Sequence, residues 1–227
     1  MNHVMSDSPI EIIGLRREFG SFVAVDNLDL SIKKNSFTGF LGPNGAGKST
    51  TLKILTNLIH ATSGHAFLNG IDVVSNPRAA LENVGTVVET PEFYPYLTPR
   101  QTMRYVGEII GMDREAISAQ TEEILEKVKM VEWGDKKLGT FSKGMRQRIA
   151  LGQALLNDPK VIILDEPTAV LTPQETEKLF TILRRMRDDG KCIIIITHKL
   201  HEVLSVSDRV AVLRKGEHIK TVNTAET

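Results

Sequence analysis

Residues Gly42-Pro43-Asn44-Gly45-Ala46-Gly47-Lys48-Ser49 fit the pattern G-x-x-x-x-G-K-S/T. They stand between a short apolar run, Phe37–Leu41, and a segment in which Leu52, Leu55 and Ile59 recur at helical spacing. Strand, glycine loop and helix in direct succession is the context that gives this pattern its physical meaning. Glycines let consecutive backbone N–H groups curl round an anion without Cβ clashes. The positive end of a helix starting near Lys48 faces the same point. The loop predicts a nucleotide triphosphate site in which Gly42 to Thr50 wrap the phosphates, Lys48 reaches the β- and γ-phosphates and Ser49 ligates Mg²⁺.

A strand that feeds such a loop belongs to an α/β sheet, and the rest of the chain supplies one. Val161–Leu164 and Ile193–Ile196 are apolar at every position, as strands of a parallel sheet covered on both faces are. A helix starts at Ser142, another runs from Pro173 to about Arg187, and a short helix follows the second apolar strand. A hairpin, Val210–Leu213 and His218–Val222, turns at Lys215-Gly216. Earlier, Ile10–Ile13 and the alternating Leu28–Ile32 read as strands. Thr98-Pro99 is an N-cap and N1 pair that opens a helix through Val106 and Ile110 to Gly111. A second helix covers Ile117 to Val128, and no strand separates the two. The expected fold is α/β: a RecA-like P-loop NTPase with a mostly parallel sheet, an antiparallel β subdomain and an α-helical subdomain inserted over about 90–140, all within one domain, 1–227.

Composition narrows the function. At roughly 150 residues per domain, 227 residues allow one domain, and 28 basic against 28 acidic residues leave no net charge. Nucleic acid is therefore not an expected partner. The lone cysteine, Cys192, cannot form an internal disulfide and fits a reducing compartment. No stretch approaches the roughly 20 apolar residues that span a bilayer, and the first eight residues have no apolar signal core. The chain is expected in the cytoplasm, with any membrane-spanning part supplied by another chain.

The strand Val161–Leu164 ends in two adjacent carboxylates, Asp165 and Glu166. The carboxyl ends of such strands are where ligands meet an open α/β sheet. Asp165 is expected to hold Mg²⁺, and Glu166 to orient or deprotonate the attacking water. His3, His60, His65, His201 and His218 have no metal-ligand spacing.

With these residues in order, the chain resembles the ATP-binding subunits of ABC transporters over nearly its whole length. Phe19 sits where the family stacks an aromatic on adenine. Val84–Glu89 resembles the Q-loop strand, with Glu89 as a metal contact. Ser142-Lys143-Gly144-Met145-Arg146-Gln147-Arg148 resembles a variant of the signature L-S-G-G-Q, and His198 the switch histidine that contacts the γ-phosphate. The resemblance implies ATP hydrolysis by a head-to-tail homodimer. Ser142, Lys143 and Gly144 of one copy then face the ATP held by the other copy, and the dimer drives membrane permease subunits from the inner face of the membrane. Ser142 is also a good N-cap, so that helix start is a second anion site.

Three departures stand out. Glu89 replaces the usual glutamine, a feature shared with some exporters, and Thr172 replaces the D-loop aspartate of S-G-L-D-P. Residues up to about Glu166 resemble ABC-2 type exporters, whereas residues from Pro167 resemble sugar or nucleoside importers, as in a chimera. Export is the leading reading because the helical insertion and Glu89 form the surface that grips the membrane partner. The alternatives are an importer ATPase, a soluble ABC-type ATPase acting on DNA or ribosomes, a nucleotide kinase and an engineered chimeric domain with no transport partner. Chromosome-structural ATPases carry a long coiled coil between the two ATP motifs, and no sustained heptads occur here.

Overall fold

The computed structural model describes residues 8–88 and 91–226. Two sheets face each other across a layer of helix. The first is antiparallel, in the order β2 (Phe22–Ile32), β1 (Ile10–Phe19), β4 (Ser63–Leu68), β5 (Ile71–Asp72). The second runs β10 (Glu217–Asn223), β9 (Arg209–Arg214), β3 (Phe37–Leu41), β8 (Cys192–Ile196), β7 (Val161–Asp165), β6 (Val84–Val87). All its pairings are parallel except the closing hairpin of β9 and β10.

Every residue of β7 and β8 is buried, because both faces are covered. Val161, Ile163, Ile194 and Ile196 point into a core shared with Leu52 and Leu55 of α1 (Lys48–Leu55) and with the antiparallel sheet. Ile162, Leu164, Ile193 and Ile195 point the other way, onto α5 (Lys143–Ala154) and α6 (Pro173–Asp188). Alternation along the strand thus divides one continuous apolar run between two cores. Helix α1 ends sooner than the spacing of Leu52, Leu55 and Ile59 implies. Asn57 takes a left-handed φ of 54°, which breaks the helix, and Ile59 packs on the core from beyond it.

The segment between β6 and β7 holds α3 (Pro99–Ile109) and α4 (Arg114–Lys127). Thr98 and Gln101 form a reciprocal capping box at the start of α3, and Asp113 caps α4. Among the described residues, β4, β5 and α2 (Pro77–Leu81) lie outside the elements read from the sequence. Helix α7 (Leu200–Val206) sits between β8 and β9. No helix among the described residues is long and apolar enough to cross a membrane.

Candidate active site

Strand register assembles the site. Phe40 of β3 pairs with Ile196 of β8, and Ile196 pairs with Asp165 of β7. Three neighbouring parallel strands therefore end level with one another. The glycine loop leaves the first, Thr197 and His198 leave the second, and Glu166 leaves the third, all at one edge.

In the loop, Gly47 has φ 94°, and a Cβ there would lie 2.5 Å from the carbonyl oxygen of Ala24. Only glycine fits this approach of loop to strand β2. Gly216, in the β9–β10 turn, closes the other side: its N–H donates to the Ala46 carbonyl at 3.2 Å, and its carbonyl accepts from Asp26 N–H at 2.9 Å. The loop is thus gripped by both sheets, while Pro43, Asn44 and Gly45 stay exposed. Lys48 is buried, and its ammonium donates to the carbonyls of Gly42 at 2.7 Å and Pro43 at 3.1 Å. Burial pulls its pKa down, against the opposing pull of Glu166 and Asp165. Thr50 is half-buried one residue beyond Ser49.

Ser49 Oγ donates to Asp165 Oδ1 at 3.3 Å, joining the start of α1 to the end of β7. Asp165 is 8% exposed, and its burial holds the carboxyl above its usual range although the Ser49 hydrogen bond and Lys53 and Lys48 pull it down. A hydroxyl and a buried, underneutralised carboxylate form a hard oxygen donor set that fits Mg²⁺, which takes one or two protein oxygens plus substrate phosphates.

Glu166 has a left-handed φ of 47°, a conformation that costs a non-glycine residue about 1–2 kcal/mol. Its N–H still donates to Ile196 O at 2.9 Å, extending the ladder one rung past the strand. The twist brings its side chain to His198, whose Nδ1 is 2.9 Å from Oε2. Strain of this kind concentrates where function fixes a side chain's direction.

Phe19 closes the β1–β2 hairpin opposite Phe22 and is 47% exposed, with the Arg17 guanidinium 4.4 Å from its ring centroid. That same hairpin leans on the glycine loop through Ala24. At the start of α5, the Ser142 hydroxyl accepts from Met145 N–H at 3.1 Å, which leaves its own proton free to donate outward. Ser142 and Lys143 are exposed. Gly144 is buried against Glu175, and a Cβ there would lie 2.1 Å from Glu175 Oε1. Thr172 caps α6 in a reciprocal box with the same Glu175. Glu89 lies outside the described residues.

Sequence reasoning passed over Glu202. This residue is 4% exposed and accepts hydrogen bonds from Thr168, Thr197 and Lys199. The available signal was an acidic residue in the first turn of a short helix, on the face that turns inward.

Residues 25–169 match the ABC transporter family. The chain is 38% identical over 215 residues to the Nod factor export ATP-binding protein I of Burkholderia orbicola (strain AU 1054), covering 95% of this chain and 71% of that protein. A solved ATP-binding cassette of an ABC transporter, in its ADP conformation, superposes with a TM-score of 0.86 at 26% identity, over 96% of this chain and 92% of that one. A dimeric cassette bound to ADP and Pi shares the fold, with a TM-score of 0.83 at 24% identity, over 95% and 98% of the two chains.

Proposed function

This chain belongs to the ABC transporter family as one of its ATP-binding, ATP-hydrolysing subunits, and on that premise we propose how its residues do the work. The observation that carries the reading is the level ending of β3, β8 and β7, which gathers Lys48, Ser49, Asp165, Glu166 and His198 at one edge.

The loop from Gly42 to Thr50 receives the triphosphate on its backbone N–H groups. Lys48 exchanges the carbonyls of Gly42 and Pro43 for the β- and γ-phosphates, an exchange favoured because a buried ammonium gains more from an anion than from two carbonyls. Phe19 offers its exposed ring to the adenine. Ser49 and Asp165 would hold Mg²⁺, with Glu89 as a further ligand, and the chemistry supplied there would be neutralisation of the charge that builds on the phosphates. Glu166 takes a proton from the attacking water, and His198 orients that carboxylate and reaches the γ-phosphate. The site is completed in trans: Ser142, Lys143 and Gly144 of a second copy close on the γ-phosphate, so closure follows ATP binding and opening follows hydrolysis.

Such a dimer moves something, and the surface beside α3 supports a membrane permease as its partner. A groove of about 1140 Å³ runs between β6, α3 and α5, with Val87, Phe93, Val106, Ile109 and Ile110 among its walls. Ile109 is 65% exposed there. The partner surface is this groove together with the helices α3 and α4 beside it, and the chain then works at the inner face of the membrane. The name of the Burkholderia relative supports export.

The experiment is a pull-down from detergent-solubilised membranes with Glu166→Gln loaded with MgATP. A polytopic membrane protein recovered with the loaded protein, and lost with Lys48→Ala, is the expected result. Equal recovery with both variants contradicts ATP-driven engagement.

A further inference from the structure

We propose that Glu202 is a positioning residue for hydrolysis: its buried carboxylate ties the loop leaving β7 to the loop leaving β8, and so sets His198 against Glu166. This rests on the reading of Glu166 and His198 given above.

The need for a tie follows from where the sheet stops. The ladder between β7 and β8 ends with Asp165 paired to Ile196, and the hydrogen bond from Glu166 N–H to Ile196 O is its last rung. Beyond it the two loops diverge as irregular backbone. The contact between them at the surface is His198 Nδ1 to Glu166 Oε2, with side chains 58% and 32% exposed. A side-chain contact that open to water contributes too little to hold two loops in register. Something buried must do it.

Glu202 is placed for that. Its Oε2 accepts from Thr168 Oγ1 at 2.5 Å and from Thr197 Oγ1 at 3.1 Å, and its Oε1 accepts from Lys199 Nζ at 2.8 Å. Thr168 and Thr197 are both fully buried. Thr168 stands two residues after Glu166, and Thr197 immediately precedes His198. One carboxylate oxygen therefore holds both reacting loops at the residues next to the pair it aligns. Lys199 closes the node by donating its N–H to Thr197 Oγ1 at 3.2 Å and its ammonium to Thr168 O at 3.5 Å. A carboxylate only 4% exposed is costly unless cation and donors surround it, and here all three donors belong to those two loops.

The test uses the full chain and separates nucleotide affinity from turnover. Glu202→Ala is expected to lower kcat at saturating MgATP about tenfold or more while the ATP Kd changes less than about twofold, since the glycine loop sits on another strand. Glu202→Gln keeps an oxygen for the two hydroxyls but turns an amide N–H₂ toward Lys199, and should keep at least about a third of wild-type kcat. In the His198→Ala background, Glu202→Ala should add no further loss, because the contact it serves is already gone.

Multiplying losses in the double variant, or an ATP Kd that rises in step with the fall in kcat, would overturn the proposal. So would Glu202→Gln as impaired as Glu202→Ala. If Glu202→Ala does not fold, Thr197→Val carries the same test, with a smaller loss of kcat that likewise vanishes in the His198→Ala background. Wild type and Glu166→Gln run alongside. Undiminished hydrolysis by Glu166→Gln would remove the underlying reading of the site, an outcome separate from any result at Glu202.

Discussion

Nδ1 of His198 lies 2.9 Å from Oε2 of Glu166, across two loops that leave neighbouring parallel strands. Both side chains are open to water, so the pairing contributes at most about 1 kcal/mol to folding. Its significance is directional. It aims a carboxylate, held on a strained backbone, at the edge where the glycine loop ends.

That strain makes a separable prediction. Glu166→Gly places the residue that tolerates φ 47° where glutamate now stands. Thermal unfolding of the nucleotide-free protein should report a gain of about 1 kcal/mol, while hydrolysis is lost. A fall in stability would mean the left-handed backbone is not strained.

Lys48→Ala removes an ammonium that would make charge-assisted bonds to two phosphates. ATP affinity, read by fluorescence titration, should weaken by about a hundredfold or more. Unchanged affinity would dismiss the glycine loop as the nucleotide site.

Asp165 predicts a pH dependence. Its folded pKa is raised by burial, so ionisation costs the folded state more than the unfolded one. The penalty is absent below the unfolded value near 3.8 and appears as pH rises through the folded value. Asp165→Asn should therefore raise the Tm of the nucleotide-free protein at neutral pH, with the gain fading below about pH 4. Mg²⁺-dependent hydrolysis should vanish in the same variant. A Tm gain that persists at low pH would assign the effect to something other than charge.

Thr172 spends its hydroxyl in the capping box of α6, 3.2 Å from Glu175 Oε2. Thr172→Asp alone sets two carboxylates side by side and should cost about 1 kcal/mol in urea unfolding. Pairing it with Glu175→Gln should recover that loss and raise the Hill coefficient for ATP hydrolysis. No rise would show that the loop does not limit coupling between the two sites.

Local chemistry is what the sequence made legible. The glycine loop, the Asp165-Glu166 pair and the caps at Thr98 and Ser142 each need only a few consecutive residues to define them. Strand β4 was not legible, because Ser63-Gly64-His65-Ala66-Phe67-Leu68 lacks a clear alternation. It is specified by β1: a Cβ on Gly64 would lie 2.2 Å from Gly14 O, a constraint set by a distant strand. Glu202 was hidden for the same reason. Its partner Thr168 is 34 positions away, and no spacing announces that two loops converge on one carboxylate.

The most direct measurement mixes two inactive chains. Lys48→Ala lacks its own triphosphate site but keeps an intact Ser142 tip. Ser142→Asp keeps a good N-cap, retains its glycine loop and presents a charge that repels phosphate. If the site is completed by a second copy, each variant alone is inactive, and an equimolar mixture regains about one quarter of wild-type ATPase activity through the single complete site of each mixed dimer. Full activity of Ser142→Asp alone, or no recovery on mixing, would contradict the shared site.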